Sequence, residues 1–305
     1  MTRQLLHGLF VESPFSLGDV TYSGPVDFTL LDGGGRAIGH DQPEGQLIQK
    51  TFYDGAPLYS TVERADGSYL LRLHGAVDFA LTKDLTRVEA YIDPACPREL
   101  VELLATGNLL ATRAMLQGEL VLHASAVARG GRTLAFVAPS GVGKSTMSAL
   151  CCLHAGSSFV TDDVLRLDLG GGDVRAWRGL HEARLRRDLA DLAAGHPQAS
   201  RQTVDGRTAW RPDRSMLPQT TLAAIVLPQP DRDRTELELQ RLTGGRAVLA
   251  IAAAPRILDW TRGRELALAL AATSRLVERV PVYRALIPWG PPFRPDVARH
   301  LMDLV

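Results

Sequence analysis

Three short stretches hold the residues whose types and spacing could do chemistry. The first, Ala138-Pro139-Ser140-Gly141-Val142-Gly143-Lys144-Ser145-Thr146, sets two glycines, a lysine and two hydroxyls close together. Gly141 and Gly143 let the backbone turn where a β-carbon would clash, so successive N–H groups can point inward at an anion. A helix starting near Lys144 adds its positive end. In such a phosphate-binding loop, or P-loop, the residues Ser140, Gly141, Val142, Gly143 and Thr146 cradle the nucleotide. Lys144 reaches the β- and γ-phosphates and Ser145 ligates Mg²⁺. Of 34 basic residues only Lys50, Lys83 and Lys144 are lysines, so a lysine here points to a need for a slim point charge rather than a planar fork. The full pattern asks for glycine at 138, where this chain has the small residue alanine.

A phosphate loop alone serves ATPases, GTPases, kinases and transport motors. The second and third stretches narrow the choice. His123 sits in Val121-Leu122-His123-Ala124-Ser125-Ala126-Val127, one strand before the loop, where alternation puts it on the face of Val121, Ser125 and Val127. Asp162-Asp163 lies 18 residues beyond the lysine, after Phe159-Val160-Thr161, where a P-loop protein places its acidic Mg²⁺ residue. Neighbours at a strand end point opposite ways, so one carboxylate can face metal or phosphates and the other an incoming nucleophile. A kinase needs a base beside a substrate hydroxyl, which favours phosphoryl transfer over two other readings. Those are a regulatory switch that hydrolyses ATP slowly and a carboxykinase-like enzyme.

The elements that must position these residues follow from the pattern around them. Leu120 to Ala128 reads as a strand, Gly130-Gly131 as a hairpin turn and Thr133 to Val137 as the strand entering the loop. Thr146 to His154 reads as a helix with Gly156 as its C-cap, and Val164 to Leu169 as a strand before Gly170-Gly171-Gly172. Further strands are expected at Leu222 to Leu227, Leu237 to Leu242 and Val280 to Ile287, with helices at about Arg262 to Glu278 and Pro295 to Leu304. The polar stretch His196 to Leu217 shows no periodicity and reads as a mobile loop near the site. Upstream, residues 1–95 are β-rich, with turns at Asp32-Gly33-Gly34-Gly35, Asp54-Gly55 and Asp66-Gly67. Arg98 to Gln117 reads as a helix with an apolar side, connecting this region to a domain spanning 119–305.

Composition sets the outer limits. At 305 residues the chain can bury a large core in two domains. Formal net charge is zero and no basic tract appears, so no nucleic-acid partner is expected; Arg184 to Arg187 reads as a solvated helix face. The longest apolar stretches, such as Ala247 to Pro255, fall far short of a bilayer span, which predicts a cytoplasmic protein without a membrane partner. Cys96, Cys151 and Cys152 have no metal spacing and read as buried thiols.

Leu122-His123-Ala124-Ser125-Ala126-Val127, Pro139 to Thr146 and Val160-Thr161-Asp162-Asp163-Val164 resemble the matching segments of HPr kinase/phosphorylase-related proteins. The nearer likeness is to the bacterial HPr-kinase-like proteins often found with peptide-modification genes, which include kinases that phosphorylate a lasso-peptide precursor on a serine hydroxyl. The resemblance implies an α/β P-loop core of the HPr kinase C-terminal and phosphoenolpyruvate carboxykinase type, behind a small β-rich N-terminal domain. It implies ATP and Mg²⁺ as cofactors, a hydroxyl-bearing peptide or protein as acceptor, and a homo-oligomer. A small-molecule hydroxyl is the alternative acceptor. Carried over by residue, it makes Lys144 the phosphate-binding lysine, Asp162 the general base and Asp163, with Ser145, the metal residue, the two aspartates being exchangeable. His123 would neutralise charge beside the transferring phosphoryl. The downstream glycine-rich signature of true HPr kinases is matched only in a few letters of Trp177-Arg178-Gly179-Leu180-His181-Glu182, so a second cation is expected from Arg184, Arg211 or Arg246.

Overall fold

The computed structural model describes residues 1–305 except 19–20, 22, 181, 186–199, 203–207, 212–216 and 258. The chain is mixed α/β and packs as two units, Met1–Gly118 with Ile257–Leu268, and Glu119–Arg256 with Ala269–Val305. No helix among the described residues is long and apolar enough to cross a membrane.

The first unit is built on one eight-stranded sheet. Its strands are β1 (Thr2–Leu6), β2 (Leu9–Ser13), β3 (Phe28–Gly35), β4 (Gln46–Tyr53), β5 (Ala56–Glu63), β6 (Tyr69–Leu73), β7 (Val77–Leu81) and β8 (Arg87–Ile92), in the order β1-β2-β3-β8-β7-β6-β5-β4. Asp54-Gly55 turns as expected, both residues at positive φ. Asp32-Gly33-Gly34-Gly35 does not turn. The strand runs through it with a bulge between Asp32 and Gly34, Gly34 taking φ +90° while the Asp32 carboxylate accepts its N–H at 3.0 Å. Glycine was read as punctuation where it permits an irregular strand.

Residues 98–116 form one helical run in three parts, α1 (Arg98–Leu104), a π-helical turn (Ala105–Leu109) and α2 (Leu110–Leu116). It falls within the first unit and buries Val101, Leu104, Leu109 and Leu110. Buried Arg113 donates to the Leu85 carbonyl at 2.8 Å and lies 4.7 Å from the centre of the Phe28 ring. The returning segment 257–268 adds to the far edge, where Trp260 bridges Gln49 and the Thr261 N–H donates to the Ile48 carbonyl at 2.8 Å.

The second unit carries a nine-stranded sheet with helices on both faces. Its elements are β9 (Leu120–Leu122), β10 (Ala124–Arg129), β11 (Arg132–Val137), α3 (Lys144–His154), β12 (Ser158–Thr161), β13 (Leu165–Asp168) and β14 (Arg175–Trp177). They continue with β15 (Ala183–Leu185), β16 (Ser200–Gln202), β17 (Thr208–Trp210), β18 (Gln219–Asp231), β19 (Glu238–Leu242), α4 (Gly244–Ala252), α5 (Gly263–Arg279), β20 (Val282–Pro288) and α6 (Pro295–Met302). The main path runs β12-β10-β11-β18-β14-β13-β9, with β20 branching from β18 and β19 pairing with β20. The long strand β18 is parallel to β11 on one side and to β20 on the other, and its first residues pair antiparallel with β14.

Side chains alternate along these strands, so the sheet has two buried faces. Met147, Leu150 and Cys151 of α3 and Val297, Leu301 and Met302 of α6 pack on Val127, Leu134 and Phe136. Ala247 and Ile251 of α4 and Ala272 and Leu276 of α5 pack on the other set, which includes Ala126, Ala135, Val137 and Ile225. Helix α4 is a departure from the sequence reading, which treated Ala247 to Pro255 only as an apolar stretch. So is the His196 to Leu217 stretch: its described residues include β16 and β17, which form a three-stranded sheet with β15. Residues 196–199, 203–207 and 212–216 of that stretch, with Arg186 and Arg187, lie outside the described residues.

Candidate active site

The site forms where two chain segments run side by side and then part. Segments 120–129 and 158–168 are antiparallel. Ala126 pairs with Thr161 above a gap and Leu122 with Leu165 below it. Between these pairs, 123–125 stand opposite 162–164 with no ladder bonds. The expected continuous strand from Leu120 to Ala128 is therefore split at His123, which ends pairing with β13 just before Ala124 takes up pairing with Val137 of β11. His123 thus sits beside the point where β11 ends and the glycine loop begins.

Opposite it, residues 162–164 fold into a tight turn. The Val164 N–H donates to the Asp162 carbonyl at 2.9 Å, and the Thr161 hydroxyl donates to the Val164 carbonyl at 2.7 Å. Asp163 is the central residue, at φ +72°. A three-residue turn of this hand is rare, and a non-glycine residue there costs on the order of 1–3 kcal/mol. On the outer flank the Gly179 N–H donates to the Val160 carbonyl at 3.0 Å. This brings Arg178-Gly179-Leu180 alongside the strand that carries the aspartates, a proximity their sequence separation concealed.

The turn sends the two carboxylates to different partners. Asp162 accepts the Ser145 hydroxyl, with Oγ at 2.8 Å from Oδ1 and 3.0 Å from Oδ2. Asp163 is held on both oxygens: His123 Nε2 lies 3.1 Å from Oδ1, and Arg256 Nη2 donates to Oδ2 at 2.8 Å. The sequence reading paired Ser145 with Asp163; the geometry puts Asp162 on Ser145 and turns Asp163 to the histidine.

The glycine loop links β11 to α3. Gly141 and Gly143 both take φ +89°, and Gly143 is the N-cap of α3 with no side-chain cap on the first turn. Lys144 is buried and donates to the carbonyls of Ala138 at 2.8 Å and Pro139 at 3.1 Å. Residue 138 contributes its carbonyl, and its φ is not positive, so alanine serves where the full pattern has glycine. Ser140 and Gly141 are exposed, Val142, Gly143 and Ser145 half-buried, and Thr146 is buried at the root of the helix.

A guanidinium that the sequence reading missed, Arg256, stands at the aspartate pair. Its side chain is only 10% exposed. Pro255 forms a bridge with Leu122, next to His123, and that bridge delivers Arg256 to Asp163 across 93 positions of sequence. Nothing local marks it. Of the arginines expected there, Arg246 is exposed on α4 and Arg211 pairs with Glu182 at 3.2 Å, while the Arg184 side chain lies outside the described residues.

The donor set suits one hard cation held jointly with phosphate. Ser145 and Asp162 are the oxygen donors that could hold it, and no group of three or more His, Cys, Asp or Glu side chains among the described residues forms a metal cage. Mg²⁺ is commonly bound this way, through one or two protein oxygens plus substrate phosphates and water.

No family model matches the chain, and no curated protein matches it. Among solved structures, the Hpr(Ser) kinase/phosphatase from Coxiella burnetii is similar over 60% of this chain and 93% of its own, at 13% identity and a TM-score of 0.31.

Proposed function

We propose that the chain is an ATP- and Mg²⁺-dependent kinase that transfers the γ-phosphoryl group to a hydroxyl, the acceptor being a serine of a peptide or protein. The observation that carries this reading is the division of labour between the adjacent aspartates. Asp162 is committed to the hydroxyl of the glycine-loop serine, and Asp163 is turned away from it toward His123 and Arg256. A protein that only binds or slowly hydrolyses a nucleotide has no need of a second, separately held carboxylate on the far side of the phosphate site.

In this reading Ser145 and Asp162 hold Mg²⁺, which would neutralise charge on the β- and γ-phosphates. Lys144 leaves its carbonyl partners, or shares them, to meet the same phosphates. Asp163 takes the proton of the acceptor hydroxyl as its oxygen bonds to the γ-phosphorus. The bond from that phosphorus to the β,γ-bridging oxygen breaks and ADP leaves. Arg256 and His123 fix the Asp163 carboxylate, and the Arg256 guanidinium places positive charge beside the moving phosphoryl. Such transfer depends mainly on positioning and electrostatics, so this small group suffices. The geometry supports the exchanged assignment of the pair, with Asp163 as base and Asp162 at the metal.

The test is transfer of label from γ-labelled ATP with Mg²⁺ to serine-containing peptides. Label on a peptide is the expected result. Free phosphate released slowly with every peptide would leave an ATPase. Lys144→Ala should abolish transfer while the melting temperature stays near that of the parent; retained transfer would remove the loop from the chemistry. Asp162→Asn should raise the Mg²⁺ concentration needed for half-maximal rate by about tenfold or more, as expected when a carboxylate ligand becomes neutral. An unchanged Mg²⁺ requirement would sink its metal role.

A further inference from the structure

The loop has a neighbour that the mechanism above does not use. A β-carbon at Gly143 would fall inside the van der Waals envelope of Cη2 of Trp289 and lie 2.7 Å from its Cζ2. The far end of the indole therefore rests on the α-carbon of the residue that caps α3. Gly143 is constrained twice: its φ of +89° suits glycine, and the ring leaves no room for a side chain.

Trp289 itself is firmly seated. It follows the last residue of β20, and its N–H donates to the Asp231 carbonyl at 3.0 Å, where β18 ends. Phe293 meets its ring edge-on, with centroids 5.2 Å apart and planes at 90°. Both rings pack against the core that holds α3 and α6. The indole thus spans from the ends of two parallel strands to the loop that leaves the third, β11. The first turn of α3 has no side-chain cap, so the ring is what bears on its N-cap residue.

We propose that Trp289 is a positioning residue for the glycine loop. It holds Gly143 in the left-handed conformation that aims the amides of the loop and of the first turn of α3 at phosphate. This rests on reading 138–146 as a phosphate site. The informative variant is Trp289→Phe, which keeps an aromatic in the core but is too short to place ring atoms on Gly143. Leu301→Ala, in the same core and away from the loop, serves as the comparison for a purely structural loss.

Two measurements decide it. Hydrogen exchange of the amides at 141–146 in nucleotide-free protein should quicken by about tenfold in Trp289→Phe, because the local opening of this segment becomes easier. The dissociation constant for ATP-Mg, and the KM for ATP, should rise by about tenfold, with kcat changing far less. Leu301→Ala should lower the melting temperature and leave both quantities alone. Loop exchange in Trp289→Phe equal to the parent's overturns the proposal, whatever happens to melting. If the parent protein binds no ATP, the phosphate-site reading fails, and loop exchange still decides whether the indole governs the loop.

Discussion

Each unit of this protein holds a carboxylate between two basic side chains, and the two carboxylates differ in nearly everything else. In the first unit Asp78 accepts Arg72 Nε at 2.7 Å and Arg72 Nη2 at 2.8 Å, and Arg36 Nη2 at 2.7 Å. In the second, Asp163 takes His123 on one oxygen and Arg256 on the other. Asp78 lies within β7, in a regular ladder directly across from Arg72, and its side chain is 0% exposed. Asp163 is expelled from its ladder at φ +72°, with its side chain 27% exposed. Similar electrostatics thus serve two ends. Where the backbone is relaxed and water excluded, the cluster is a fastening. Where the backbone is bent to bring the group out, the cluster holds a carboxylate that keeps access to solvent, as the proposed base would need.

The sharpest way to break this contrast is Asp163→Asn. Transfer should fall by about 10²–10⁴-fold, the range for losing a general base, while ATP-Mg still binds. Stability should fall less than in Asp78→Ala, because the Asp163 side chain keeps some access to water, 27% exposed against 0% for Asp78, and the asparagine amide retains the shape of the carboxylate. Asp78→Ala should do the reverse. Breaking a buried ion pair costs about 3–5 kcal/mol, read as a lowered urea midpoint, while the rate per folded molecule stays near the parent's. If Asp163→Asn unfolds the protein, or Asp78→Ala spares it, the comparison is void.

Arg256→Lys sharpens the same point. Lysine keeps the charge and loses the planar fork, so kcat should drop by about tenfold with little effect on the KM for ATP. An unchanged kcat would show that charge alone is enough there.

The smallest effect belongs to His74, beside the Asp78 cluster. Its Nε2 and the Ser60 hydroxyl share a hydrogen bond at 2.8 Å. Burial, with the Arg72 charge nearby, holds its folded-state pKa below the ordinary 6.5. The unfolded chain therefore takes the proton first. Stability is fully present above about pH 6.5 and is lost as pH falls through the lower folded value. The melting temperature should decline over that window, and His74→Gln should flatten the decline. Equal slopes in the two proteins would remove His74 as its source.

How much of this could be read beforehand depended on the range of the contact. Gly130 and Gly131 take φ +58° and +77° in the turn joining β10 to β11, as expected of a two-residue hairpin loop. The loop glycines and the start of α3 were legible for the same reason: the torsion is written in the residue that adopts it. The partners of Asp163 were half legible. His123 stood in a short run near the loop, but Arg256 arrives through the Leu122–Pro255 bridge, and Trp289 reaches Gly143 from the end of β20. Such meetings are decided by strand order, which no local pattern states. The misreadings have the same root. Gly33 to Gly35 looked like a turn because glycine permits one, and only pairing with β8 makes the stretch a bulged strand.

The chain leaves the second unit at Arg256, runs through 257–268 in the first, and returns inside α5. A protein laid out this way cannot be divided with one cut. A fragment beginning at Glu119 would carry Trp260 and Thr261 without the β4 edge they pair with, and would begin α5 without the residues packed around its first turn. Arg256 would then stand at the mouth of an unsupported segment, one residue from the break in order. Exchanging the first unit for another therefore requires two matched junctions, and the second begins one residue after the arginine that holds Asp163.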